Sequence, residues 1–304
     1  MSIDLSPPQS PFEPRPTPPP STAPSSSAPT NVDESPPSSG PTLARPMPVE
    51  WPLTSFSSTP HNVACIAFLL GACWAVGTVL LVGNAARWFV WTATAVRGHA
   101  DALPQGLWYA ATHSPQLGMY LAAWAFFHLV EFVVTSMWNP GKLSVSSYLL
   151  DNGNLYHVAH VGGILEHILE EAYLPEEYRH WKHAGGVFLI GIALVAGGQV
   201  LRSYAMISAS SNFSHLKRPG HRLVKDGVYA WSRHPSYAGF YWWAFGTQVV
   251  LGNPICGLAF LGLLQWFFST RIRETVEEQY LVRFFGKEYE DYRRKVPSRI
   301  LFVP

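Results

Sequence analysis

The chain has 304 residues, of which 48% are hydrophobic and 13% charged, against about 25% charged in an ordinary soluble domain. A formal net charge of +1 gives no overall field to gather nucleic acid, and no nucleic-acid motif occurs. The three cysteines, Cys65, Cys73 and Cys256, lie in apolar stretches with no Cys-x-x-Cys spacing, which argues for packing roles and against a disulfide framework or a zinc site.

Residues 1–58 hold more than half of the 26 prolines, with many serines and threonines and no apolar periodicity. Such a segment buries too little surface to offset its chain entropy, so a disordered Pro/Ser-rich tail is expected. It lacks the basic start and apolar core of a secretory signal peptide, and its acidic character does not suit a transit peptide. Residues 59–304 form the expected membrane domain. Val63 to Gly83 runs 21 residues without a charge, enough at about 1.5 Å per residue to cross a hydrocarbon core of about 30 Å. Ala85 to Val96 is apolar but short, and reads as an interfacial helix or a continuation of the first span.

Leu117 to Trp138 predicts a second span, with His128 and Glu131 three residues apart on one helical face, where they can pair. Ionisable groups at that depth usually face the protein interior, and a structural brace is the plainer reading than a catalytic dyad. Asn139-Pro140-Gly141 ends that helix. Tyr156 to Leu174 is apolar but interrupted by His157, His160, Glu166, His167, Glu170 and Glu171, and fits either a crossing or a surface-lying helix. The pairs His157/His160 and His180/His183 invite a metal reading. Membrane di-iron oxygenases, however, use histidine boxes with adjacent His-His pairs, which this chain lacks, so no metal site is expected.

Gly185 to about Met206 predicts a further span, with Arg202 near its end placed to snorkel to the interface. The polar loop Ser208 to Ser232 follows, carrying Lys217, Arg218, Arg222 and Lys225, and such clustering marks the cytosolic side. Two apolar runs, Tyr237 to Gly252 and Ile255 to Phe268, flank Asn253-Pro254; at about 24 Å of helix each, they predict a tight hairpin. That hairpin would bring Arg233-His234 and Arg271 to one membrane face. The segment Arg271 to Val296 reads as an amphipathic helix with a phase shift before Tyr292, ending in Arg293-Arg294-Lys295. The whole is an all-α polytopic integral membrane protein of about six transmembrane helices, with a C-terminal helical hairpin, a cytosolic amphipathic C-terminal helix and both termini in the cytosol.

Chemistry concentrates between Gly227 and Trp243, where Arg233, His234 and Pro235 form a turn among Tyr229, Tyr237, Trp242 and Trp243. Aromatic faces beside a membrane boundary suit a small, polar, partly cationic ligand. Arg273 and Glu277, four apart, share a helical face, a spacing that most often means a surface pair.

From about Tyr120 to Pro297 the chain resembles the isoprenylcysteine carboxyl methyltransferase family. The resemblance rests on Phe127-His-Leu-Val-Glu131, Ser211-Asn-Phe-Ser-His215, Gly227-Val-Tyr-Ala-Trp-Ser-Arg-His-Pro-Ser-Tyr237, Gly246-Thr-Gln-Val-Val, Asn253-Pro-Ile-Cys-Gly257, and Glu277-Glu278 leading to Phe284-Phe-Gly-Lys-Glu-Tyr289. It implies an endoplasmic-reticulum membrane enzyme whose site faces the cytosol. The implied reaction uses S-adenosyl-L-methionine to methylate the C-terminal carboxylate of farnesylated or geranylgeranylated cysteine in CaaX proteins. It further implies a cofactor-binding part at about 208–304, where His221, Arg222, Leu223, Val224, Tyr229, His234, Pro235, Ser236, Tyr237 and Glu277 line the cofactor pocket. An arginine after the last span would hold the substrate carboxylate. Counting forward from Phe267-Phe268 gives Arg271 and counting back from Phe284-Phe-Gly286 gives Arg273, so both stand with Glu277 as catalytic candidates. Ser298 to Pro304 departs from the family pattern and is expected to stay clear of the chemistry. Rival readings are a sterol-type NADPH-dependent reductase, a phospholipid N-methyltransferase, and a transporter or scaffold built on His128 and Glu131.

Overall fold

The structure, a computed structural model, describes residues 58–96, 106–212, 222–269 and 276–301; at 87–89, 91–96, 211, 276 and 277 it describes the backbone alone. The expected disordered tail therefore lies outside the described residues, apart from Ser58. So do His221, Arg271 and Arg273.

All regular structure among the described residues is helical: α1 (Pro60–Val96), α2 (Leu107–Thr112), α3 (Pro115–Trp138), α4 (Asn154–Tyr173), α5 (Glu176–Arg179), α6 (Gly185–Ala209), α7 (Val228–Trp231), α8 (Pro235–Leu251), α9 (Pro254–Ser269), α10 (Val276–Phe285) and α11 (Lys287–Lys295). Among the described residues three stretches are long and apolar enough to cross a bilayer, Pro60–Ala86, Pro115–Trp138 and Gly185–Ala209. The 85–96 stretch continues the first helix without a break.

Glycine sets the closest helix contacts. On α6 and α8, Gly198 and Gly239 face each other so tightly that a Cβ on Gly198 would lie 2.5 Å from the Trp243 nitrogen, and one on Gly239 would lie 2.7 Å from the Arg202 nitrogen. Backbones this close exclude any side chain, and in a bilayer, where lipid is as apolar as leucine, such packing replaces the hydrophobic drive between helices. Gly77 on α1 meets Ala122 on α3 in the same way, at 2.5 Å.

The predicted hairpin forms. Gly252, at φ 66°, closes α8 in the left-handed region that favours glycine, and Pro254 opens α9. Asn253 fixes the turn by donating from Nδ2 to the Gly163 carbonyl and to Gln248 Oε1, while Glu166 accepts the Ile255 and Cys256 backbone N–H groups at the start of α9. The glutamate of the interrupted α4 segment is thus a helix cap. His160 turns inward and bonds Tyr120 at 2.6 Å, whereas His157 is exposed; His183 bonds Glu171, and His180 bonds the Glu177 carbonyl. Each His-x-x-His pair is split between separate partners, and no group of metal-ligating side chains gathers among the described residues.

Two expectations about buried charge need correction. His128 and Glu131 do not pair: His128 bonds the Tyr148 carbonyl and the Tyr156 hydroxyl, while Glu131 takes Arg202. Nor does Arg202 snorkel; it is 8% exposed, because a bidentate carboxylate on α3 lies within reach across the bundle. The phase shift in the C-terminal segment is a break in the helix at Gly286, φ 57°, which divides it into α10 and α11. Cys73 and Cys256 pack against core clusters as expected, whereas Cys65 is exposed on α1.

Candidate active site

The turn before α8 gathers partners from distant parts of the chain. Pro235 stands at the first helical position, where its missing N–H costs nothing and its fixed φ starts the helix. Ser232, fully buried, accepts the His234 backbone N–H and donates its hydroxyl to the Ser298 carbonyl at 2.6 Å. The Arg233 backbone N–H reaches the Pro297 carbonyl, and its guanidinium reaches the Val296 carbonyl. The last residues therefore hold the turn, against the expectation that they stay clear of it. Ile300, 3% exposed, belongs to the main core cluster.

Glu278 on α10 ties this turn to the C-terminal helices. It accepts from Arg233 Nε at 2.9 Å, pairs with His234 Nε2 at 2.8 Å, and accepts the Tyr289 hydroxyl at 2.9 Å and Arg293 Nη1 at 3.4 Å. Burial works to raise its pKa, but the hydrogen bonds and positive field from His234 and Arg233 outweigh it and bring the carboxyl down to about 2. Burial and the adjacent carboxylate push the Tyr289 phenol well above its ordinary range. An open groove of about 1000 Å³ lies against this clamp, lined by Arg233, Glu278, Val282, Arg283, Arg293 and Pro297 among others.

On the inner side the site is aromatic. The His234 and Tyr237 rings stack at 5.6 Å and 13°, Tyr237 meets Phe268 at 5.1 Å, and Phe240 continues the contact towards Trp243 and Phe127. Phe268 is the last ring before the segment holding Arg271 and Arg273. The hairpin thus brings its two open ends together, as its lengths predicted. Ser236 lies beside this aromatic face and accepts Arg202 Nη1 at 3.1 Å on its hydroxyl. Tyr229, on α7, donates its hydroxyl to the Ala205 carbonyl and accepts from Tyr292 on its own carbonyl. Leu223 packs with Leu281, Tyr289 and Tyr292, next to Arg222 and Val224; the Arg222 backbone N–H reaches Asn212. Of Glu277 the backbone alone is described, as the second residue of α10.

The structure sets His234, Pro235, Ser236 and Tyr237 in one turn and joins to it Glu278, Arg202 and the tail at 296–298, which sequence reasoning had not placed there. The adjacent pair Glu277-Glu278 carried a signal for Glu278, since neighbours on a helix point about 100° apart and only one of them can face the turn.

A sequence model of the isoprenylcysteine carboxyl methyltransferase family matches residues 189–283. The chain is 37% identical over 257 residues to a protein-S-isoprenylcysteine O-methyltransferase of Xenopus laevis, covering 82% of this chain and 85% of that one. It is 43% identical over 192 residues to the protein of that name in Saccharomyces cerevisiae, covering 61% and 79%, and 41% identical over 190 residues to that of Homo sapiens, covering 61% and 65%. A solved structure described as the eukaryotic intramembrane Ras methyltransferase ICMT superposes with a TM-score of 0.58 at 26% identity, covering 76% of this chain and 98% of that one.

Proposed function

The chain belongs to the isoprenylcysteine carboxyl methyltransferase family, and from that membership we propose how its site carries out the reaction. The protein is a multi-pass membrane methyltransferase that esterifies the carboxylate of isoprenylated cysteine. We take S-adenosylmethionine as the methyl donor, prenylated CaaX proteins as substrates, and the endoplasmic-reticulum membrane as the location, with the site and both termini in the cytosol. The matched relatives leave the reductase, phospholipid and transporter readings without support.

One observation carries the reading of the site. The His234–Tyr237 turn, with its stacked rings and a serine hydroxyl, meets Phe268 at the open end of the hairpin, three residues before Arg271. These groups fit the proposed donor: aromatic faces favour a cation, and Ser236 offers a hydrogen to an acceptor. S-adenosylmethionine would supply an electrophilic methyl on a positively charged sulfur. Pro235, Ser236 and Tyr237, with Arg222, Leu223, Val224, Tyr229 and His221, would hold it, and Glu277 would bind one of its donor groups. The domain then divides as 59–304 for the membrane enzyme and about 208–304 for its cofactor-binding part.

A C-terminal carboxylate with a pKa of about 3.5 is ionised at neutral pH, so the chain needs no general base to prepare it. What the residues must supply is alignment, worth up to about 7–11 kcal/mol in favourable cases. The planar fork of Arg271 or Arg273 can fix both carboxylate oxygens while leaving one nucleophilic. The lipid tail needs a side entrance. Tyr156, near the start of α4, bonds His128 in the middle of α3, so α4 starts well short of the site end of the bundle. That shortfall supports entry beside the last turns of α9. Arg222, Lys225, Arg283, Lys287, Arg294 and Lys295 are exposed at the site end, which supports its cytosolic orientation.

Arg271→Ala or Arg273→Ala is expected to lower turnover of N-acetyl-farnesylcysteine by about 100-fold, a charge-assisted bidentate contact being worth some 3 kcal/mol, with little change in S-adenosylhomocysteine affinity. Wild-type turnover in both variants would refute the carboxylate assignment.

A further inference from the structure

We propose that Arg202, locked by Glu131, is a positioning residue that makes the Ser236 hydroxyl a directed hydrogen-bond donor to the methyl donor. The inference rests on placing that donor at the His234–Tyr237 turn. An arginine in the last two turns of α6 has an easy route to the interface, and burying it costs far more than leaving it there. Yet Arg202 lies inside, with Nε 2.5 Å and Nη2 2.9 Å from the two oxygens of Glu131, which is 2% exposed. The Phe127 and Phe240 rings cover its guanidinium at 5.4 and 5.5 Å.

With two arms of the fork on Glu131, the third reaches α8, where Nη1 is 3.1 Å from Ser236 Oγ and 3.4 Å from the Ser236 carbonyl. A guanidinium donates and never accepts, so Ser236 Oγ accepts here and its own hydrogen must point elsewhere. Among the described residues that hydrogen has no acceptor. Glu131 serves a second purpose: by cancelling the guanidinium charge it lets an arginine sit beside the turn without repelling a sulfonium. Lysine at 202 would keep the pair with Glu131 but could not span both helices with a rigid fork.

The test titrates the full-length protein in membranes with S-adenosylhomocysteine, whose Kd is read without turnover and should rise in step with KM, and adds steady-state kinetics varying S-adenosylmethionine against fixed N-acetyl-farnesylcysteine and the reverse. Arg202→Lys and Ser236→Ala should each raise KM for S-adenosylmethionine about tenfold, the size of one hydrogen bond to a charged group, with kcat and KM for the prenylcysteine little changed. The double variant should be no worse than either single one, since both remove the same contact. A pair that only braces α3 against α6 would instead reduce the amount of folded enzyme and leave KM unchanged, which overturns the proposal, as do effects that multiply in the double variant. Should Arg202→Lys not accumulate, Ser236→Ala keeps the ion pair and decides the matter by its KM. Tyr237→Ala separates the two levels of the argument. If it raises KM while Arg202→Lys and Ser236→Ala do not, this inference alone fails; if it too leaves KM unchanged, the placement of the donor fails and takes this inference with it.

Discussion

Glu278→Ala should abolish most methyl transfer and lower the thermal inactivation midpoint of the detergent-solubilised protein. The substitution leaves Arg233 and His234, whose side chains are 7% and 6% exposed, facing each other without the carboxylate that joins them. Removing one member of a buried ion pair typically costs about 3–5 kcal/mol, because the remaining charge stays desolvated. Here the loss falls on the link between the site turn and α10 and α11, so activity should fall with stability. Glu278→Gln keeps an acceptor and should lie between. The pH dependence has a fixed sign. A carboxyl held near 2 in the folded state, against about 4.5 in its absence, stabilises the fold fully above pH 4.5, and this contribution is lost as pH falls from there towards 2. The wild type should therefore lose stability over that acid range, and Glu278→Ala should show a flatter profile. Equal midpoints for wild type and Glu278→Ala at neutral pH would remove the clamp from the account.

Adjacent glycines on α6 should respond in opposite directions to the same substitution. A Cβ on Gly198 meets the Trp243 nitrogen at 2.5 Å and the Gly239 carbonyl oxygen at 2.6 Å, both backbone atoms that cannot swing away. Gly198→Ala must push α8 from α6, at a cost of about 1–3 kcal/mol or more, and Arg202 and Ser236 lie on the displaced surfaces. Gly197→Ala places its methyl where nothing lies within 4 Å and should gain up to about 1 kcal/mol of helix propensity. Thermal inactivation midpoints of the two variants give the comparison. Similar shifts in both would mean that the α6–α8 crossing is looser than described.

The membrane helices and the hairpin were legible because each is written locally. Uncharged length marks the spans, and Asn253-Pro254 between two runs too short to cross alone marks the turn. The sequence also carries small residues seven apart on facing helices, Gly191 and Gly198 on α6 and Gly239 and Gly246 on α8, which is the spacing of a close helix crossing. What escaped was pairing across the bundle. Arg202 near the end of an apolar run has the pattern of a snorkelling residue, and nothing along the chain shows that Glu131, 71 positions earlier, points at it. Glu278 escaped for a related reason: its four partners come from two segments, the turn before α8 and α11, and helical phase alone does not choose between it and Glu277. The tail misled because departure from a family pattern measures side chains, whereas Pro297 and Ser298 hold the turn through backbone carbonyls, which any sequence supplies.

The most direct measurement is methyl transfer from labelled S-adenosylmethionine to N-acetyl-farnesylcysteine by membranes containing this protein, comparing wild type with Tyr237→Ala. The account predicts a base-labile methyl ester from the wild type and a several-fold higher KM for S-adenosylmethionine in the variant, since loss of an aromatic face costs a cation about 1 kcal/mol or more. Absence of ester from the wild type, or equal KM values in the two proteins, would contradict it.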